Sequence, residues 1–141
     1  MINFTGNEPN IWFKKRNFTP VSPEKLAKEF KFFKSLITDL YGDSFAQSIL
    51  VGPDVTKTGF NYLQRFLNNC GKTINATTFH QYYGKGADFV NVKSYIDPRI
   101  LNMYRGQVKD VVAKVKHSKE SDVAIWQGET SSTVSPPGRI L

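Results

Sequence analysis

The sequence predicts an α/β fold, and three observations carry that prediction. Strand-like and helix-like segments alternate in the order β-α-β-α-β-α-β. The helical segments repeat apolar residues at spacings of three and four, and the strand-like segments are short apolar or β-branched runs of the kind buried on both faces. This order calls for a parallel sheet with right-handed crossovers.

Ile2-Asn-Phe-Thr5 reads as a short first strand. Ser22 and Pro23 read as an N-cap and first helical residue, after which Leu26, Phe30, Phe33, Ile37 and Leu40 form the apolar stripe of a long helix ending near Gly42. Ser48-Ile-Leu-Val-Gly52, bounded by Gly-Pro, suits a buried second strand. Phe60, Leu63, Phe66 and Leu67 share one face of a second helix, which stops near Gly71. Thr73-Ile-Asn-Ala-Thr-Thr-Phe79 is β-branched enough for a third strand and runs into His80-Gln-Tyr-Tyr83. Asp97-Pro98 caps a third helix with the face Leu101, Tyr104, Val108, Val111 and Val115, and Asp122-Val-Ala-Ile-Trp-Gln127 is a fourth strand ending at Gly128-Glu129. Four strands and three helices suit either a small open sheet or half of an eight-stranded (β/α)8 barrel. No repeat or linker divides residues 1–141, so the chain reads as one domain or part of one.

Composition narrows the function classes. The chain has 141 residues, 19 Lys plus Arg against 12 Asp plus Glu, and one Cys. A lone Cys70 excludes an internal disulfide framework and a cysteine-based zinc site. No apolar run is long enough to span a membrane, and the first residues lack a signal-peptide layout. A net charge of +7 favours a polyanionic partner, nucleic acid or an anionic glycan. There is no Walker-type loop, RNP-like strand or zinc spacing, which argues against nucleic acid. Lys25, Lys28, Lys31 and Lys34 recur every three residues along the first helix, as a solvated face or a glycan surface. Sequons at Asn3, Asn17 and Asn75 suit a glycoprotein.

Chemistry in parallel α/β folds sits at the carboxyl ends of the strands. Glu8, in Gly6-Asn-Glu-Pro-Asn10, follows the first strand, and Glu129, in Gly128-Glu-Thr-Ser-Ser132, follows the fourth. A flat sheet would hold these strand ends roughly 14 Å apart, whereas barrel curvature aims both side chains at one axis. Carboxyls about 5 to 5.5 Å apart support retaining glycoside hydrolysis, in which one protonates the leaving oxygen and the other attacks the anomeric carbon. A third strand end between them carries His80, Gln81, Tyr82 and Tyr83. Taken singly, each acidic segment also reads as a turn or helix cap, and each aromatic as packing.

Gly6-Asn-Glu-Pro-Asn10, Lys14-Lys15, Val51-Gly-Pro-Asp-Val55, Thr78-Phe-His-Gln-Tyr-Tyr83 and Gly128-Glu-Thr-Ser-Ser132, in this order and spacing, resemble the heparanase family of endo-β-glucuronidases that act on heparan sulfate. The resemblance runs from about residue 4 to residue 132 and implies a TIM barrel, represented here by its fourth to seventh strands. It implies that Glu8 is the general acid/base, that Asn7 binds the sugar 2-hydroxyl, and that Glu129 is the nucleophile. It also implies that His80 and Tyr82 line the cleft near the nucleophile and that Lys14 faces the anionic substrate. No metal or organic cofactor is implied. Partners would be heparan sulfate or a similar glycan, possible matrix or peripheral membrane association, and a second chain completing the barrel, since the family's mature enzyme has two chains. The setting would be secreted, extracellular-matrix or lysosomal.

Two departures bear on substrate. Val55-Thr-Lys-Thr-Gly59 carries one lysine where the family has a longer basic segment, and Thr133-Val-Ser-Pro-Pro137 replaces glycines whose N–H groups meet the uronate in the family. A half barrel exposes strand edges and a wet sheet face, so the isolated piece is expected to be inactive. The alternative reading is a non-catalytic basic domain that binds polyanions such as heparan sulfate.

Overall fold

The computed structural model describes residues 2–4, 7–11, 19, 21–42, 48–56, 61–84 and 91–131. Its strands are β1 (Ile2–Phe4), β2 (Ile49–Val51), β3 (Val55–Thr56), β4 (Ala76–His80) and β5 (Ala124–Glu129). The helices are α1 (Pro23–Tyr41), α2 (Tyr62–Cys70) and α3 (Pro98–Lys116), with 3-10 turns at Pro9–Ile11 and Val92–Ile96.

Every strand pairing is parallel. β2 meets β4 at Ala76 and β3 meets it at Phe79 and His80, while β5 runs along the opposite edge of β4. β2 and β3 are therefore two stretches of one strand, interrupted at Gly52-Pro-Asp54. The spatial order is β1, then β2 with β3, then β4, then β5. This is an α/β fold of four parallel strands in chain order with three helices, the arrangement of consecutive units in a (β/α)8 barrel.

The first helix begins where Ser22 and Pro23 predict: the Ser22 hydroxyl accepts from the Lys25 N–H at 3.1 Å. Asp97 caps α3 in the same way through the Arg99 N–H at 2.8 Å. The core lies between the sheet and the helices. Leu26, Ala27 and Phe30 of α1, Leu63, Phe66 and Leu67 of α2, and Val111 and Val115 of α3 close over Leu50, Val55 and Phe79. Phe30 meets Phe66 edge to face at 5.1 Å. Cys70 is a core residue whose thiol burial pushes up to about 12, so it packs rather than reacts.

Several expectations need correction. Leu40 is 66% exposed, off the buried stripe of α1, and Leu101 is exposed as well. α3 buries only Val111 and Val115, and its first half lies beside the 3-10 turn at Val92–Ile96, which has no periodic signal in the sequence. The third strand starts three residues later than expected, at Ala76; before it, Asn75 donates its N–H to the Leu50 carbonyl at 2.8 Å while its Oδ1 accepts from the Leu50 N–H at 2.9 Å. Phe60 and Thr5 lie outside the described residues.

Candidate active site

Glu8 sits in the connection after β1, in left-handed backbone at φ 51°. Its N–H donates to the Asp54 carbonyl at 2.9 Å and its own carbonyl accepts from the Ile11 N–H at 3.0 Å. Asn10 clamps this loop to β3: its Oδ1 accepts from the Thr56 N–H at 3.1 Å and its amide donates to the Thr56 carbonyl. The result is a carboxyl group only 7% exposed, held at the carboxyl end of the sheet.

Glu129 reaches the same place by a different device. Side chains alternate faces along a strand, so an unbroken β5 would put Glu129 on the helix side with Ile125. Phe79 pairs with Gln127 but His80 pairs with Glu129, leaving Gly128 as one extra residue in the strand. That bulge turns Glu129 to the face shared by His80 and Trp126. Only glycine fits there, because a Cβ on Gly128 would lie 2.9 Å from Asp54 Oδ1 and 3.2 Å from His80 Nε2. Glu129 is thus the last residue of β5, not the first after it.

His80, buried at the end of β4, joins the two acids. Its Nδ1 lies 3.4 Å from Glu8 Oε1 and 3.2 Å from Glu129 Oε2, and its Nε2 lies 3.5 Å from Asp54 Oδ1. Burial pushes the imidazole down, but the Asp54 and Glu8 carboxylates outweigh it and hold its pKa above the ordinary range. Tyr82 donates its hydroxyl to Glu129 Oε1. Burial and that same carboxylate push the phenol pKa up, so Tyr82 stays a donor. Glu8, His80 and Glu129 each offer one donor atom within 4.8 Å of the others, a grouping that could also hold a metal ion and that spacing in the sequence does not reveal.

Of the residues expected from the sequence, Glu8, His80, Tyr82 and Glu129 come together. Asn7 is exposed beside Glu8. Lys14 lies outside the described residues. Asp54, quoted within its motif but given no role, is the residue that sequence reasoning missed. The available signal was its place after a strand whose Gly-Pro pair interrupts the ladder.

Residues 10–138 match the model of the glycosyl hydrolase family 79 N-terminal domain. The chain belongs to glycosyl hydrolase family 79. Glu129 falls within the matched range, and Glu8 lies two residues before it. Among curated relatives, the chain is 29% identical over 133 residues to a heparanase from Bos taurus, covering 90% of this chain and 23% of that protein. It is 32% identical over 130 residues to a hyaluronoglucuronidase from Hirudo nipponia, covering 90% and 24%. A heparanase from Gallus gallus is 27% identical over 129 residues, with 90% and 24% covered. The chain therefore spans about a quarter of the length of these family 79 relatives.

Proposed function

We propose that this chain carries the catalytic pair of a retaining endo-β-glucuronidase that cleaves a glucuronide-containing glycosaminoglycan. The observation that carries the reading is the meeting of Glu8 and Glu129 oxygens within 4.8 Å, from strands at opposite edges of the described sheet. Closeness of this order suits direct attack by one carboxylate, as in retaining pairs whose carboxyl groups lie about 5 to 5.5 Å apart.

Glu8, as a neutral carboxyl, protonates the glycosidic oxygen while a Glu129 oxygen attacks the anomeric carbon and the bond to the leaving sugar breaks. A glycosyl ester on Glu129 results. Water then attacks the same carbon, gives its proton to the Glu8 carboxylate, and releases Glu129 as a carboxylate. Donors from Tyr82 and His80 stabilise the negative charge on Glu129 before attack and as it returns. Asn7, next to Glu8, binds the sugar 2-hydroxyl, and the positive charge of Lys14 suits an anionic substrate.

The names of the relatives favour two substrates, heparan sulfate and hyaluronan, which share a glucuronide and differ in sulfate. On this reading the protein meets its glycan in the matrix or the lysosome. The test is turnover of both glycans by the full-length protein as made in its source, beside Glu8→Gln and Glu129→Gln. Loss in both variants supports the pair. Unchanged turnover in either overturns it, and salt-sensitive glycan binding without cleavage by the unaltered protein would favour the polyanion-binding alternative.

A further inference from the structure

Asp54 is buried, carries a charge-bearing group, and has no part in the two-carboxylate reaction. A buried carboxylate needs a partner, and the group facing it is the Nε2 edge of His80 at 3.5 Å. We propose that Asp54 is a positioning residue: it holds His80 by Nε2 so that the ring offers Nδ1 to Glu8 and Glu129 at once. The proposal rests on the glycosidase reading above and adds a residue to it.

Four observations converge on this. Torsion about the outer bond of a histidine side chain is broad, so a ring tethered at one nitrogen alone is free to turn. Here contacts at both nitrogens define its plane, with Glu8 and Glu129 on one side and Asp54 on the other. Asp54 is itself over-determined, since its N–H donates to the Thr78 hydroxyl at 3.0 Å and its carbonyl accepts from the Glu8 N–H at 2.9 Å. It therefore touches the acid/base loop by its main chain and the ring by its side chain. Its backbone is left-handed at φ 52°, a conformation that Asp and Asn tolerate better than other side chains. Finally, the missing side chain at Gly128 makes the space that the Asp54 carboxylate and the ring edge occupy.

The charges around the ring give the arrangement a second consequence. His80 faces Glu8 from the loop after β1, Asp54 from the break between β2 and β3, and Glu129 from β5, while Tyr82 holds the other Glu129 oxygen. With a carboxylate at Nε2, the ring keeps a proton there and can carry a second on Nδ1. An imidazolium there donates from Nδ1 to the Glu129 carboxylate, beside the neutral carboxyl of Glu8.

The test compares Asp54→Asn and Asp54→Ala with Glu129→Gln in the full-length protein. Asn keeps the shape, the backbone preference and an acceptor for Nε2, and loses only the charge. We expect Asp54→Asn to lower kcat about tenfold with KM little changed, and Asp54→Ala about a hundredfold, the scale of a misplaced catalytic group. The alkaline limb of the kcat profile should move to lower pH in Asp54→Asn, and the His80 imidazole, followed by 15N NMR and assigned by its loss in His80→Gln, should titrate at lower pH. An unmoved pH profile and an unmoved His80 titration overturn the proposal even if activity falls, because a residue that only folds the loop would lower activity without moving either. Full turnover in Glu129→Gln overturns the glycosidase reading and the proposal with it. Lost turnover in Glu129→Gln beside an unaltered Asp54→Asn overturns the proposal alone.

Discussion

Glu129 faces His80 because Gly128 adds one residue to its strand, and Gly128 is tolerated there because it has no side chain. Gly128→Ala should therefore cost activity out of proportion to its size, since the new methyl carbon falls 2.9 Å from Asp54 Oδ1 and displaces the carboxylate or the bulge. Steady-state kinetics on a glucuronide substrate would check it, with kcat falling well below that of the parent. Glu8→Gln should lower kcat by about 10²- to 10⁴-fold, the usual contribution of a positioned general acid. His80 gives a stability prediction with a definite sign. Its folded pKa is raised, so its contribution is fully present below the unfolded value of about 6.5 and is lost as the pH climbs through the folded value. Urea midpoints taken at mildly acidic and mildly alkaline pH should fall between the two for the parent, and fall less for His80→Gln. At this scale the sequence names the acids and the aromatics, because each stands beside a motif. The Gly-Pro pair marks the place of Asp54 there but not its role, which runs through a ring edge, and the bulge is one residue of register.

The elements follow local chemistry closely. Ser22-Pro23 and Asp97-Pro98 start helices as capping predicts, and Leu63, Phe66 and Leu67 of α2 are buried as their spacing selects, joined by Cys70. The break after Gly52 is different: Gly52 still bonds β4 by its N–H and its carbonyl, but Pro53 has no N–H and the Asp54 N–H turns to the Thr78 hydroxyl. A Cβ at Gly52 would lie 2.5 Å from Phe30 Cζ, so the helix ring packs directly on bare backbone. Gly52→Ala should destabilise the protein by about 1–3 kcal/mol, the range for overpacking, measured as a lower urea midpoint with an unchanged slope. Leu40 and Leu101 show why periodicity overreaches. A stripe extends along a helix wherever leucine recurs, but burial ends where the facing element ends. The 3-10 turn at Val92–Ile96 has no period to find, and its start is fixed by the Asn91 side chain, which accepts from the Ser94 N–H at 3.3 Å.

At the scale of the molecule, four parallel strands in chain order bring the ends of β1 and β5 to one buried histidine, which a flat sheet of equal width would not do. Alternation of strand and helix was enough to predict the fold class, while the choice between open sheet and barrel came from resemblance and not from composition. The exposed lysines of α1 offer a contrast with the cleft. If the glycan is cleaved between Glu8 and Glu129, charge reversal at Lys25, Lys28 and Lys31 should leave kcat unaltered, whereas a binding-only protein would lose its glycan in salt-dependence assays of the same variant. The pairing of Glu8 with Glu129 is tested most directly by trapping the covalent intermediate. The full-length protein would be incubated with a 2-deoxy-2-fluoro glucuronide carrying a good leaving group, then digested and mapped by mass spectrometry. One sugar ester on the peptide containing Glu129, absent from Glu129→Gln, is the predicted result. Continued turnover of glucuronide with no ester at Glu129, or an ester on another carboxylate, would contradict it.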